Sequence, residues 1–212
     1  MWGIECLLLI PFTLHLRKLQ PGGKWIYFYL INSVVFAAGS ILVALIMKHN
    51  LWFYNIMYFI QFVVASSFFH AIIKSRTAKL VIALMILPVL TLVLLDYFHL
   101  EGPYAYNSYA TSAETLILMV YAVLFFWQLL RDEELVRKSV FINSLPDFWY
   151  NAGLFVYHCS YFLFTLANNF AQFSTKATQN ASHVSLGITF VAGAIQLILF
   201  YIGLLKDKKI RP

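Results

Sequence analysis

Polar side chains recur along one face of an otherwise apolar and aromatic stretch of this chain. Asn151, His158, Thr165 and Asn169 fall within about 40° of one another on a helix that turns about 100° per residue. Amides and an imidazole facing hydrocarbon would lack hydrogen-bond partners. This face is therefore predicted to point toward other helices or a water-lined cavity.

A carboxyl group interrupts a second apolar stretch. Glu114 shares a helix face with Tyr121 and Gln128 at heptad spacing. A carboxyl in hydrocarbon needs a partner or a changed protonation state, which makes Glu114 a candidate functional group. We predict a polar pocket toward the outer side of a membrane, with the candidate ligand-binding residues Glu5, Glu114, Tyr121, Asn151, His158, Thr165 and Asn169.

Other interpretations of these residues stay open. A membrane histidine such as His158 can simply bond a neighbouring helix, and Glu5 is close enough to the predicted surface to be solvated. Glu5, Glu114 and His158 could supply three metal ligands if they met in space, although no dense motif such as HExxH is present. No predicted helix interior contains a lysine for a Schiff base, and no cofactor or catalytic residue is predicted.

The composition predicts a membrane-embedded, all-α protein. The 212 residues are 61% hydrophobic and 11% charged, against about 45 to 50% and about 25% in soluble domains. Apolar runs predict a seven-transmembrane-helix bundle that forms one domain over 1–212. The predicted helices are 2–16, 26–47, 51–73, 80–97, 109–130, 148–168 and 185–205. The first is short for a bilayer, so a six-span alternative leaves it at the interface.

The basic residues alternate between the two sides of the predicted bundle. Thirteen of the 15 Lys and Arg residues fall in the odd-numbered connections and the C-terminal tail, and only Lys48 and Lys176 lie on the other side. The positive-inside rule then places the N-terminus outside and the C-terminus in the cytoplasm. Topology and anionic lipids explain the net charge of +6, so no nucleic-acid partner is predicted.

The longest predicted cytoplasmic connection is 131–147. Glu133 with Arg137, and Glu134 with Lys138, form i,i+4 pairs that favour a helical extension of the fifth helix. The apolar residues 140–142 follow and should meet lipid or another protein. This connection is the predicted docking site for a cytoplasmic signalling protein.

The run LPDFWYNAGLFVYHCSYFLFTLANN, from Leu145 to Asn169, resembles a segment of small bacterial seven-helix membrane proteins. Those proteins resemble the membrane sensory regions of sensor histidine kinases or stand alone in two-component signalling settings. The resemblance implies a sensor or signalling component of a bacterial inner (plasma) membrane, with a small ligand that it does not identify. A small transporter or channel using the same polar stripe is the alternative, and a membrane-embedded enzyme is a further one.

Overall fold

The computed structural model describes residues 2–47, 50–102, 107–132, 141–172 and 176–210. For residues 2–3, 168–172, 176–182 and 208–210 it describes the backbone alone. These ranges contain helices, short helical turns and loops but no strand, which confirms the all-α prediction. The seven helices are α1 (Trp2–His15), α2 (Pro21–Ile46), α3 (Leu51–Ile72), α4 (Arg76–Leu95), α5 (Ser108–Leu130), α6 (Pro146–Gln172) and α7 (Lys176–Ile210).

Five of these helices are long and apolar enough to cross a membrane. They are α2, α3, α4 with the π-helical turn that follows it to Leu100, α5, and the part of α7 from His183 to Asp207. Helix α1 has only 14 residues, about 21 Å at 1.5 Å per residue. Helix α6 has 27 residues, but its amide, imidazole and phenol groups make it less apolar than the five.

Helices α2 and α4 begin earlier than the sequence predicted. The Pro-Gly-Gly segment, which precedes the predicted helix start at 26, is the first turn of α2, because Pro21 at the helix start loses no intrahelical hydrogen bond. Helix α4 begins at Arg76 rather than 80, where the Ser75 hydroxyl accepts a hydrogen bond from the Ala78 amide at 3.3 Å.

The polar segment between the last two helices is more helical than expected. We predicted a turn-rich connection over 171–183, whereas α6 continues to Gln172 and α7 begins at Lys176. No Gly or Pro occurs between Phe170 and Leu186 to end a helix. Helix α7 also extends through most of the basic tail, to Ile210.

Helices adjacent in sequence are adjacent in space, and α1 closes the ring by packing against α7. Helices α2, α3, α5, α6 and α7 also make contacts across the ring, so they surround its centre, and the most extensive packing is between α6 and α7. Aromatic and aliphatic side chains such as Phe62, Phe69 and Leu154 are buried there. Large apolar side chains such as Leu45 and Leu130 are exposed on the outside, as hydrocarbon contact would favour.

One end of the bundle gathers the connections in which most basic residues lie, and we call it the basic end. Lys74 forms an ion pair of 2.6 Å with Asp132, and its backbone amide donates to the Gln128 side chain at 2.6 Å. The Gln20 amide donates to the Asp207 carboxylate at 3.2 Å. The contacts of Lys74 join the loop after α3 to the end of α5. The contact of Gln20 joins the loop after α1 to the end of α7.

Candidate functional site

A small cavity with several polar residues in its lining lies inside the ring, between α3, α5 and α6, and we call it the central pocket. Its volume of about 20 Å³ accommodates about one water molecule. Phe62 and Leu118 form apolar parts of its wall. Its polar lining comes from Tyr58 and Gln61 on α3, Thr111, Glu114 and Thr115 on α5, and Tyr157, His158 and Tyr161 on α6.

Helical periodicity explains why these residues share one surface. Each of the three helices contributes side chains spaced by three and four residues, and such side chains lie on one helix face. On α5, the series Thr111, Glu114, Thr115 and Leu118 follows the i, i+3, i+4, i+7 pattern. The pocket therefore forms where one face of each helix meets the other two.

Two of the predicted site residues, Glu114 and His158, meet in this pocket. Glu114 is 5% exposed and makes no hydrogen bond or ion pair with any residue that the structure describes. His158 is 4% exposed, and neither of its ring nitrogens bonds to any residue in the described part of the chain. A buried polar group without a partner typically costs about 1 to 3 kcal/mol, and a charged one more. The protein thus keeps two costly groups at one cavity.

A hydrogen-bond network extends from the pocket toward α2 and α7. The Gln61 amide donates to the Tyr29 hydroxyl at 2.6 Å, and the Gln196 amide approaches the same hydroxyl at 3.4 Å. Glu5 lies near Ser33 and near enough to Tyr29 to interact with it electrostatically. Glu5 is therefore buried beside this network and does not line the central pocket.

The structure does not bring the other predicted residues into the central pocket. The Asn151 amide donates to the Ala122 carbonyl at 3.2 Å, and Thr165 accepts a hydrogen bond from Ser112 at 3.0 Å, so both residues connect α6 to α5. Tyr121 packs its ring against Phe69. The Asn169 side chain lies outside the described part of the structure.

Sequence reasoning missed the tyrosines and the glutamine of the lining. Tyr58, Tyr157 and Tyr161 were interpreted as packing and interface residues, because tyrosine is common at both places, and Gln61 was not considered. The available signal was the i, i+3 spacing of Tyr58 and Gln61 within an apolar helix. Only the packing of α3 against α5 shows that this face points inward.

A three-ligand metal site is not assembled in the part of the chain that the structure describes. It contains no group of three or more His, Cys, Asp or Glu side chains placed to hold an ion. Glu5 was considered as the third ligand beside Glu114 and His158, but it lies next to the network around Tyr29 instead.

A second polar cluster lies at the basic end. Asp207 is 2% exposed and accepts the Gln20 amide at the start of α2, where a carboxylate is favoured by the helix dipole. Asp147 precedes the predicted span 148–168, and burial together with the nearby Asp207 raises its pKa to about 7. Tyr150 is fully buried beside both carboxyls, and its hydroxyl makes no hydrogen bond with a described residue.

No family model matches this chain, and neither the curated proteins nor the solved structures contain a match. The structure itself defines the class: an all-helical protein with five helices suited to a membrane, arranged around a buried polar centre.

Proposed function

We propose that this chain is a membrane sensor or signalling component that binds a ligand in the central pocket and passes a signal to a cytoplasmic partner. The observation that carries the proposal is the pair of buried groups Glu114 and His158 at one cavity, neither of which has a hydrogen-bond partner among the described residues. Ionisable groups inside a membrane protein usually mark a functional site, because their burial is costly. A ligand that satisfied both groups would stabilise the arrangement of α5 and α6 in which they meet.

The size of the cavity favours a binding site over a transport pathway. A volume of about 20 Å³ holds about one water molecule, whereas a transport pathway must connect the two sides of the membrane at some stage. A small transporter stays the alternative, because Glu114 and His158 could also relay a proton. Ion or proton flux into proteoliposomes that contain the purified protein would favour this alternative.

We further propose that all seven helices span a bacterial inner membrane, with the N-terminus outside and the C-terminus in the cytoplasm. The gathering of four chain segments at the basic end supports an alternating, up-and-down arrangement. The packing of α1 against both α2 and α7 supports a place for α1 within the ring rather than on the membrane surface. The polar side chains of α6 are compatible with a span because Asn151, His158 and Thr165 are buried by other helices.

Reporter fusions should place the C-terminus and Arg131 in the cytoplasm, and Gly102 and Lys176 outside. The physical reason is the concentration of basic residues at one end of the bundle, which is retained on the cytoplasmic side during insertion. Paired reporters that are active on only one side of the membrane provide the measurement. A cytoplasmic signal at Lys176 would contradict the seven-span arrangement, and an N-terminus inside would favour the six-span one.

The proposed partner site is the connection between α5 and α6. The ion pairs that we predicted within 133–140, and Val140 itself, lie outside the described residues. Phe141 is 78% exposed at the basic end, while Ile142 and Leu145, which follow it, pack against the core. Phe141 is thus an exposed aromatic residue followed by an anchored segment, as suits contact with another protein.

Replacing Phe141 by Asp should weaken binding of the cytoplasmic partner by more than about tenfold, as loss of a central aromatic contact does. Phe98 is a matched control, because it is 66% exposed but lies on the turn after α4, at the other end of the bundle. Co-purification of a genetically linked kinase or response regulator, compared between the two variants alongside their thermal melts, tests the proposal. Full retention of the partner by Phe141→Asp would count against signalling through this connection.

A further inference from the structure

A second cavity, of about 380 Å³, lies between α3 and α4, and we call it the lateral crevice. Its lining is mainly apolar and aromatic, and it includes Ile56, Ile60 and Leu94, which are exposed on the outside of the bundle. Because α3 and α4 are both long and apolar enough to cross a membrane, the crevice opens toward lipid. Its volume is typical of sites that bind a small molecule.

The hydrogen-bonding residues of the crevice lining lie toward one end of the bundle. Trp52 is at the start of α3, Asn55 is one turn further along it, and Tyr97 follows the end of α4, so all three lie away from the basic end. Ile60 and Leu90 lie about 7 to 11 Å deeper, at 1.5 Å per residue. The crevice thus changes from polar to apolar along its length, as a glycerolipid does from its ester groups to its acyl chains.

The Asn55 side chain is a buried hydrogen-bonding group in the crevice wall. It is 8% exposed and makes no hydrogen bond with any residue that the structure describes. A half-turn about χ2 exchanges the oxygen and the nitrogen of the amide, so its NH₂ group can face the crevice. An amide without a partner beside hydrocarbon is costly. The site therefore favours an occupant that brings a hydrogen-bond acceptor to this position.

The depth of Asn55 matches the ester groups of a bilayer. The 22 residues of α3 span about 33 Å, close to the thickness of the hydrocarbon core, so its first turn lies near the membrane boundary. Helical side chains point back toward the helix N-terminus, which brings the Asn55 amide closer to that boundary. Ester carbonyls of membrane lipids are the acceptors at this level.

We propose that the lateral crevice binds one acyl chain of a membrane glycerophospholipid, whose ester carbonyl accepts a hydrogen bond from the Asn55 amide. The chain runs inward along Ile60 and Leu90, while the second chain and the head group stay in the bilayer. Burial of the chain against apolar and aromatic side chains adds to the hydrogen bond. This lipid site goes beyond the proposed sensor function and does not depend on the ligand of the central pocket.

The test compares binding of two synthetic lipids to the purified, delipidated protein by native mass spectrometry from a mild detergent. One lipid is a diacyl phosphatidylethanolamine, and the other is its dialkyl ether counterpart, which has the same head group and chain lengths but no ester carbonyl. We expect one tightly bound diacyl lipid per chain. Binding of the ether lipid should be about three- to tenfold weaker, the usual effect of one lost hydrogen bond.

Asn55→Leu removes the amide while keeping a side chain branched at the same atom, and it should bind the two lipids equally. Asn32→Leu is the matched control, because Asn32 is also 8% exposed, its side-chain nitrogen is bonded to no described residue, and it does not line the crevice. This control should prefer the diacyl lipid as the wild type does. Both variants should melt no lower than the wild type in lipid-free detergent, since each removes a buried, unbonded nitrogen.

Val93→Phe tests the location of the lipid, because Val93 lines the crevice and the larger side chain fills it while Asn55 stays intact. This variant should lose the tightly bound lipid of either kind. Equal binding of the two lipids by the wild type, or a preference that survives Asn55→Leu, would overturn the proposal. So would lipid retained by Val93→Phe, or a second copy of the chain or another hydrophobic molecule bound in place of the phospholipid.

Discussion

The wild-type protein should lose stability as the pH rises toward 7, and replacing Asp147 by Asn should remove this loss. Burial and the proximity of Asp207 raise the pKa of Asp147 from 3.8 to about 7 in the folded protein. Between these pH values the folded state holds a proton that the unfolded state has released, so the free energy of unfolding falls as the pH rises. This contribution is fully present below about pH 4 and is lost above about pH 7. We expect this contribution to the free energy of unfolding to be about 1 to 3 kcal/mol, because Asp147 is only partly buried.

Thermal unfolding of the purified protein between about pH 4.5 and about pH 8 provides the measurement. The wild type should melt at lower temperature at the alkaline end, and Asp147→Asn should melt at nearly the same temperature throughout. Asp132→Asn is a control at the same end of the bundle, because Asp132 pairs with Lys74 rather than with a carboxyl. If Asp147→Asn lost stability with rising pH as steeply as the wild type does, the proposed proton on Asp147 would be ruled out.

Replacing Gly203 by Ala should destabilise the bundle by about 1 to 3 kcal/mol, the usual cost of overpacking a core. A Cβ atom at this position would lie 2.5 Å from Cε1 and 2.7 Å from Cδ1 of the Tyr150 ring. The Tyr150 ring cannot move away from such a Cβ atom, because it is fully buried against Phe12 and Phe200. The missing side chain thus permits the close approach of α6 and α7.

Gly187→Ala is the matched control on the same helix. A Cβ atom there would meet nothing within 4 Å, so the gain in helix propensity should stabilise the protein by about 0.5 to 1 kcal/mol. Melting temperatures of the two variants in one detergent should therefore move in opposite directions. Equal shifts would show that Gly203 acts through helix propensity and not through its contact with Tyr150.

Much of the helical architecture could be predicted from the sequence. Long apolar runs specify helices, and the seven predicted segments all correspond to helices of the structure. The errors lie at the ends of the helices. The predicted start of α2 excluded Pro21 although proline fits a first helical turn. The polar segment 171–183 was interpreted as a loop, although it contains no Gly or Pro and α6 and α7 both extend into it.

The candidate site was only partly predictable. Glu114 and His158 were identified because a carboxyl and an imidazole are costly in an apolar segment, and that cost is visible in any sequence. Tyr58, Tyr157 and Tyr161 were not identified as site residues, because tyrosine serves equally well in a core, at a membrane interface or beside a ligand. Asp147 and Asp207 were read only as parts of a connection and a tail, although the folded chain brings the two carboxyls close together.

The sequence by itself determined which segments become helices and which face of each carries polar groups, because both depend on residues within a few turns of one another. The tertiary structure alone decided which faces meet. The inward faces of α3, α5 and α6 converge on one cavity, while Asn151 and Thr165, on the same stripe as His158, bond α5 instead. That choice depends on how side chains far apart in the chain interlock across the ring, as the fit of Tyr150 against Gly203 illustrates, and no local pattern encodes it.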